Sequence, residues 1–192
     1  ASGWYFVMQT FGDRVSEQVP EPYWRNPDGA EVRAMMHLGL AHGARGIICY
    51  TYQTERPNWP ALVEQRWLRP EDEKYAALAE VARKIHPVRA LLLDSRPEGL
   101  EVRVQPLTAI GLARKTLDGR LLVYLINLDT DAPAEVTVTV LPVVNNRRVP
   151  LAGARELFSG REVPLEHGTD RSTGHTTLAP GDAELWELAL PQ

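Results

Sequence analysis

The chain has 192 residues, a formal net charge of -4, and 44% hydrophobic against 24% charged residues, the balance of ordinary globular material sufficient for one large or two small domains. Charges of both signs are dispersed, which speaks against a nucleic-acid groove or an anionic membrane surface as partner, and no apolar run reaches the roughly 20 residues of a transmembrane helix. A single cysteine, Cys49, rules out an internal disulfide, and five scattered histidines give no zinc-ligand spacing, so neither a metal nor a cofactor is implied.

Trp4–Phe11 is apolar on both faces up to Gln9, which predicts a strand of a parallel sheet covered on both sides. A polar loop rich in proline, glutamate and aromatics runs to Asn26. A helix follows, with two possible starts. Asn26-Pro27 offers an N-cap with proline at the first helical position, and Asp28 with Glu31 offers a capping pair. Val32, Met35, Met36, Gly39 and Leu40 fall on one face, and Gly43 suits a left-handed terminator.

Gly46–Tyr52 reads as a second buried strand with Cys49 as a small core residue. Strand, helix, strand implies a right-handed parallel crossover. A parallel sheet of two strands leaves edges and faces open, so the sequence reads as the end of a larger protein, cut inside a barrel or open sheet. A second long loop, 53–70, carries Pro57, Trp59, Pro60 and Trp67, and loops of that length commonly wall a binding site. A helix from near Glu71 places Tyr75, Leu78, Ala79, Ala82 and Ile85 on one face, and Pro87 marks its end or a kink. Val88–Leu93 reads as a further helical turn, and Asp94–Gly99 as a linker dividing 1–94 from 95–192.

From Leu100 the pattern is all-β. Leu100–Val104 alternates, and Ile110–Lys115 and Leu121–Leu128 flank the hairpin signal Leu117-Asp118-Gly119-Arg120. Glu135–Leu141 turns Val136, Val138 and Val140 to one side and Thr137 and Thr139 to the other. Short strands are predicted near 155–157, 162–165 and 176–178, and Pro180-Gly181 turns into Ala183–Leu190. About seven or eight short strands at this spacing suit a small antiparallel β-sandwich, with Trp186 in its core. The fold class is therefore α/β followed by all-β.

Ligands of parallel α/β sheets sit beyond the carboxyl ends of the strands. Here those ends collect Gln9, Thr10 and Asp13, and Tyr50, Tyr52, Gln53 and Glu55. Trp24 and Trp59 in the adjoining loops, with Tyr23 and Trp67, suit sugars, whose C–H faces stack on rings while hydroxyls take hydrogen bonds. The plainer alternatives are that these tryptophans pack their loops down and that Gln9 satisfies neighbouring backbone. Tyr50 and Tyr52 share a face, either a barrel lumen or the helix side. His37 and His42, five apart, do not share a helix face and make no metal pair. His86 reads as a helix-end cation, and Asn145–Arg148 as a solvated turn. No Ser-His-Asp arrangement, phosphate loop or dinucleotide fingerprint is present.

Trp4–Phe11, then Asn26-Pro27 with Glu31–Met35, then His42–Tyr52 together resemble strand seven, helix seven and strand eight of retaining, β-galactosidase-like glycoside hydrolases with a (β/α)8 barrel. Ala154–Val163 resembles a hairpin, and Thr177–Leu188 the closing strand pair, of the β-sandwich that follows such barrels. The resemblance implies the last β/α units of an incomplete barrel and an accessory sandwich, carbohydrate as substrate, and as partner a missing N-terminal barrel segment or another chain. Catalysis there takes two carboxyl groups, about 5 Å apart for retention. The donor strand is outside this chain, and Gln9 stands where the nucleophile belongs. Asp13 and Glu55, or Glu17, are the nearest acids; Gln9, Trp24, Tyr50, Tyr52, Gln53 and Trp59 are the expected sugar contacts. The chain alone is expected to be inactive, and the alternative is a non-catalytic carbohydrate-binding or structural module. Residues 1–94 alone are expected to be poorly soluble, and 98–192 to fold alone.

Overall fold

The computed structural model describes residues 3–10, 12–13, 25–50, 65–66, 72–144 and 147–191. The first part runs β1 (Tyr5–Gln9), β2 (Gly12–Asp13), α1 (Gly29–Ala41), β3 (Gly46–Tyr50), β4 (Gln65–Arg66) and α2 (Glu73–Ile85). β1 and β3 pair in parallel from Tyr5 against Gly46 to Gln9 against Tyr50, with α1 as the crossover. Of the two possible starts, α1 takes the second. Asp28 Oδ1 accepts from the Glu31 amide at 2.8 Å, and Glu31 Oε2 accepts from the Asp28 amide at 3.0 Å, a reciprocal capping box.

Among the described residues the parallel pair is covered on one face. Phe6, Met8, Ile47 and Cys49 pack against Val32, Met35 and Met36 of α1 and Ala77 and Leu78 of α2. On the other face Tyr5 (65%), Val7 (56%), Ile48 (48%) and Tyr50 (59%) are exposed. Both described helices lie on the same side, and no described element crosses the other. Gly39 lets α1 approach closely, since a Cβ there would stand 2.7 Å from the Phe6 ring.

α2 also departs from the predicted face. Its buried stripe is Lys74, Ala77 and Val81, while Tyr75 is exposed. A 3-10 turn (His86–Val88) containing Pro87 leads into α3 (Arg89–Leu93). The segment read as a linker is instead β5 (Ser95–Pro97), which pairs antiparallel at a sheet edge. Pro97 is tolerated there because an edge strand leaves one row of backbone groups outside the ladder.

The remaining strands are β6 (Glu101–Gln105), β7 (Ala109–Thr116), β8 (Leu121–Asn127), β9 (Ala134–Leu141), β10 (Val143–Val144), β11 (Arg147–Arg148), β12 (Gly153–Glu156), β13 (Leu165–His167), β14 (Ser172–Leu178) and β15 (Ala183–Ala189). They build a five-stranded sheet ordered β12-β15-β8-β7-β5 and a four-stranded sheet ordered β13-β14-β9-β6. Val123, Leu125, Trp186 and Leu188 of the first meet Val136, Val138, Val140 and Leu178 of the second in one apolar cluster. The other face of the five-stranded sheet, with Leu122, Tyr124, Ile126 and Leu185, packs on Leu38 and Ala41 of α1, Ile85 of α2, and Val88 and Leu92 beyond it. The central strand β8 is therefore buried on both faces, which explains its unbroken apolar run. The layers stack as parallel pair, helices, five-stranded sheet, four-stranded sheet.

Candidate functional site

The carboxyl ends of β1 and β3 bring Gln9 and Tyr50 side by side as register partners. Partners in a parallel ladder share a face, and this is the open one, so Tyr50 points away from the helices. The Thr10 amide donates to the Tyr50 carbonyl at 3.0 Å and carries the pairing one residue further. Gln9 Nε2 donates to the Arg25 carbonyl at 2.9 Å, which ties the strand end to the chain entering α1. On the helix side, buried Lys74 donates from Nζ to the Thr10 carbonyl and to Asn26 Oδ1, both at 2.8 Å. Asn26, one of the two candidate helix caps, thus serves the strand end instead. Among the described residues Thr10 Oγ1 is buried there without a hydrogen-bond partner.

Arg25 spans both carboxylate oxygens of Glu31, one contact at 2.7 Å. The guanidinium bond holds the Glu31 carboxyl below its ordinary range against the opposing effect of burial, and Glu31 in turn raises Arg25. Gln9, Arg25 and Glu31 border a cavity of about 610 Å³ with Met35 and Leu38 on one wall and Leu128 and Thr130, after β8, on the other. This volume falls within the range of small-molecule pockets. An apolar wall with an amide and a paired acid and base at its edge can seat a neutral polar ligand by hydrogen bonds.

Of the residues proposed from sequence, Gln9 and Tyr50 are brought together. Asp13 is placed by its backbone in β2, paired with Gln65 of β4; its carboxylate, and Trp24, Tyr52, Gln53, Glu55 and Trp59, lie outside the described residues. His37 is wholly buried while His42 is exposed at the end of α1. Among the described residues no cluster of three or more His, Cys, Asp or Glu could hold a metal ion, and no helix is long and apolar enough to cross a membrane. Cys49 is half-buried, which pushes its thiol up. Sequence reasoning missed Lys74 and the Arg25–Glu31 pair. One signal pointed to Lys74: a cation in the first turn of a helix opposes the dipole, so something else must hold it.

No family model and no curated protein matches the sequence. Solved structures do show similarity. An α-amylase from Geobacillus thermoleovorans complexed with acarbose is 16% identical, covering 88% of this chain and 35% of that one, with a TM-score of 0.49. A β-L-arabinopyranosidase from Geobacillus stearothermophilus is 12% identical over 97% of this chain and 37% of that one, with a TM-score of 0.49. The α-fucosidase of Thermotoga maritima is 12% identical over 97% and 39%, with a TM-score of 0.46. The chain thus spans well under half the length of each of these glycoside hydrolases, and the likeness concerns chain path, not substrate or individual residues.

Proposed function

We propose that this chain is the carboxy-terminal part of a glycoside-hydrolase-like enzyme of the retaining, β-galactosidase-like type. In this reading 1–94 supply the last two strands and helices of a (β/α)8 barrel, and 95–192 form an accessory β-sandwich packed on it. The observation that carries the reading is the pairing of Gln9 and Tyr50 at the carboxyl ends of parallel strands, on the face turned from the helices. That is where barrels and open α/β sheets hold ligands. Gln9 and Tyr50 orient sugar hydroxyls, joined by Tyr52 and Gln53, and Trp24 or Trp59 stacks on a ring. Asp13 and Glu55 are the nearest acids for hydrolysis, and the remaining barrel comes from a preceding segment or another chain.

A second reading, a binding-only relative, is favoured by one residue. Gln9 occupies the strand end where the resemblance calls for a nucleophile, and a neutral amide cannot form a glycosyl ester. The test compares this chain with the complete reading frame that contains it, on a panel of 4-nitrophenyl glycosides. Turnover by the longer polypeptide only, reduced at least 1000-fold by Asp13→Asn or Glu55→Gln, supports the first reading. Sugar binding by both polypeptides with turnover by neither supports the second. A reading frame with no preceding barrel segment, and no sugar binding by this chain, overturns both.

A further inference from the structure

A titratable cluster that the sugar site does not use sits in the apolar seam between the helices and the five-stranded sheet. His37 of α1 and Tyr124 of β8 are both wholly buried, with Nδ1 2.8 Å from the phenol oxygen. The Phe158 ring lies against both, at centroid distances of 6.4 Å and 6.2 Å. His37 Nε2 faces Asp182 Oδ1 across 3.6 Å, just beyond ordinary hydrogen-bond distance, and has no nearer partner among the described residues. Asp182 is itself held by Lys84 of α2, whose Nζ donates to its two oxygens at 2.8 Å and 2.7 Å.

The turn bearing Asp182 is where the layers are fastened. Arg33 of α1 donates to the Pro180 carbonyl at 3.1 Å, and a Cβ on Gly181 would stand 2.0 Å from the Ala30 carbonyl oxygen. Each packing element presents a charged or titratable group. From α1 comes Arg33, 3.9 Å from Glu80; from α2 come Glu80 and Lys84, themselves 3.1 Å apart; from the sheet come Tyr124 and Asp182. Further off, the Glu156 carboxylate is engaged by the Phe158 and Ser159 amides, and Arg114 by Ala41 and Ser95. The seam already holds the Lys84 cation, and the Asp182 anion is committed to it.

We propose that His37, Tyr124 and Asp182 form a proton-sensitive latch between the helices and the five-stranded sheet, closed while the imidazole is neutral and released when it is protonated. The neutral ring can accept the Tyr124 proton at Nδ1 while turning Nε2–H toward Asp182. The imidazolium carries a proton on both nitrogens, so Tyr124 must turn its own away, and a second cation is sealed beside Lys84 in apolar surroundings. Burial holds the imidazole below its ordinary range despite the opposing pull of Asp182. The latch therefore contributes its full stability above about pH 6.5, the unfolded-state value, and contributes less as pH falls from there toward the folded-state value, where the ring itself protonates.

The test is amide hydrogen exchange on the full 192-residue chain at pH 7.5 and 5.0, corrected for intrinsic rates, in the parent and in His37→Gln. Glutamine still accepts from Tyr124 and does not titrate in this range, and every other histidine is common to both proteins. Protection of α1 and β8 in the parent is expected to fall at least tenfold more than in the variant. An equal pH dependence in the two proteins, or protection that rises in acid, overturns the proposal. Should His37→Gln not fold, an NMR titration of the His37 ring in the parent decides. A ring that titrates at or above the ordinary histidine value with the α1–β8 contacts intact overturns the latch; protonation coincident with loss of those contacts supports it.

Discussion

The guanidinium of Arg114 donates to the Ala41 carbonyl at 2.8 Å, so a side chain of β7 closes the carboxyl end of α1. Its other donors reach Ser95 Oγ and the Ser95 carbonyl, each at 2.7 Å. One buried cation thus ties a helix end, with its last carbonyl and negative dipole, to the two strands at one sheet margin. Arg114→Met keeps the stem and removes all three bonds, leaving buried acceptors unpaired. It should destabilise the chain by about 2–3 kcal/mol in urea unfolding. Arg114→Lys should recover only part, because an ammonium cannot reproduce the planar fork. A loss under about 1 kcal/mol for the methionine variant would mean that water replaces these bonds.

Much of this architecture was legible where local chemistry decides. The Leu117–Arg120 turn, the Val–Thr alternation before Leu141, the Pro180-Gly181 turn and the Asp28–Glu31 capping pair carry their geometry in adjacent residues. What was hidden depends on long-range partners. Ser95–Pro97 reads as a breaker until β7 offers it an edge. The apolar pattern of Trp4–Phe11 reports that both faces favour burial, but not that the described helices cover only one. That Gln9 and Tyr50 stand at strand ends was legible because each apolar run gives way to polar groups there. His37 and Asp182 were not, since nothing in their sequence neighbourhoods anticipates a meeting across 145 positions.

Gly181 adopts a φ of +66° and lies against the first turn of α1. Gly119 adopts +92°, and a Cβ there would meet nothing within 4 Å. Gly119→Ala therefore reports backbone strain alone, about 1 kcal/mol. Gly181→Ala adds a collision with the Ala30 carbonyl and should cost about 2–4 kcal/mol. Thermal unfolding of the two variants side by side measures the difference. Equal losses would mean that the 180–182 turn yields without disturbing the helix.

The Asp182–Lys84 pair contributes to both limbs of a pH–stability profile, on the acid side below the range in which His37 acts. Burial alone would raise the Asp182 carboxyl, but His37 and Lys84 outweigh it and hold it far below the ordinary carboxylate range. Its contribution is present above about pH 3.9, the unfolded-state value, and is lost as pH falls below it. Burial alone would lower Lys84, but Asp182 and Glu80 outweigh it and hold the amine up. Its contribution is full below about pH 10.4 and is lost as pH rises through the folded-state value. Asp182→Asn should cost about 2 kcal/mol at pH 7 and flatten the acid limb. Lys84→Met should flatten the alkaline limb. Unchanged limbs in melts from pH 2 to 11 would show the pair to be solvent-screened.

The packing on both faces of β8 changes what residues 98–192 should do alone. Without the helices, Leu122, Tyr124, Ile126 and Leu185, each wholly buried in the full chain, would line one exposed face. Burial of each such side chain is worth about 1.5–3 kcal/mol, so water should not leave that face uncovered. Removing β5 also opens the edge of β7. The cluster between the two sheets is untouched, so the fragment should keep its β circular dichroism. It should nonetheless bind a hydrophobic dye and self-associate in light scattering. Threonine at both 122 and 126 keeps β propensity while making the face polar, and should return the fragment to a monomer. A monomeric, dye-silent parent fragment would show that the sheet closes this face by itself and that the helices are held by their polar ties alone.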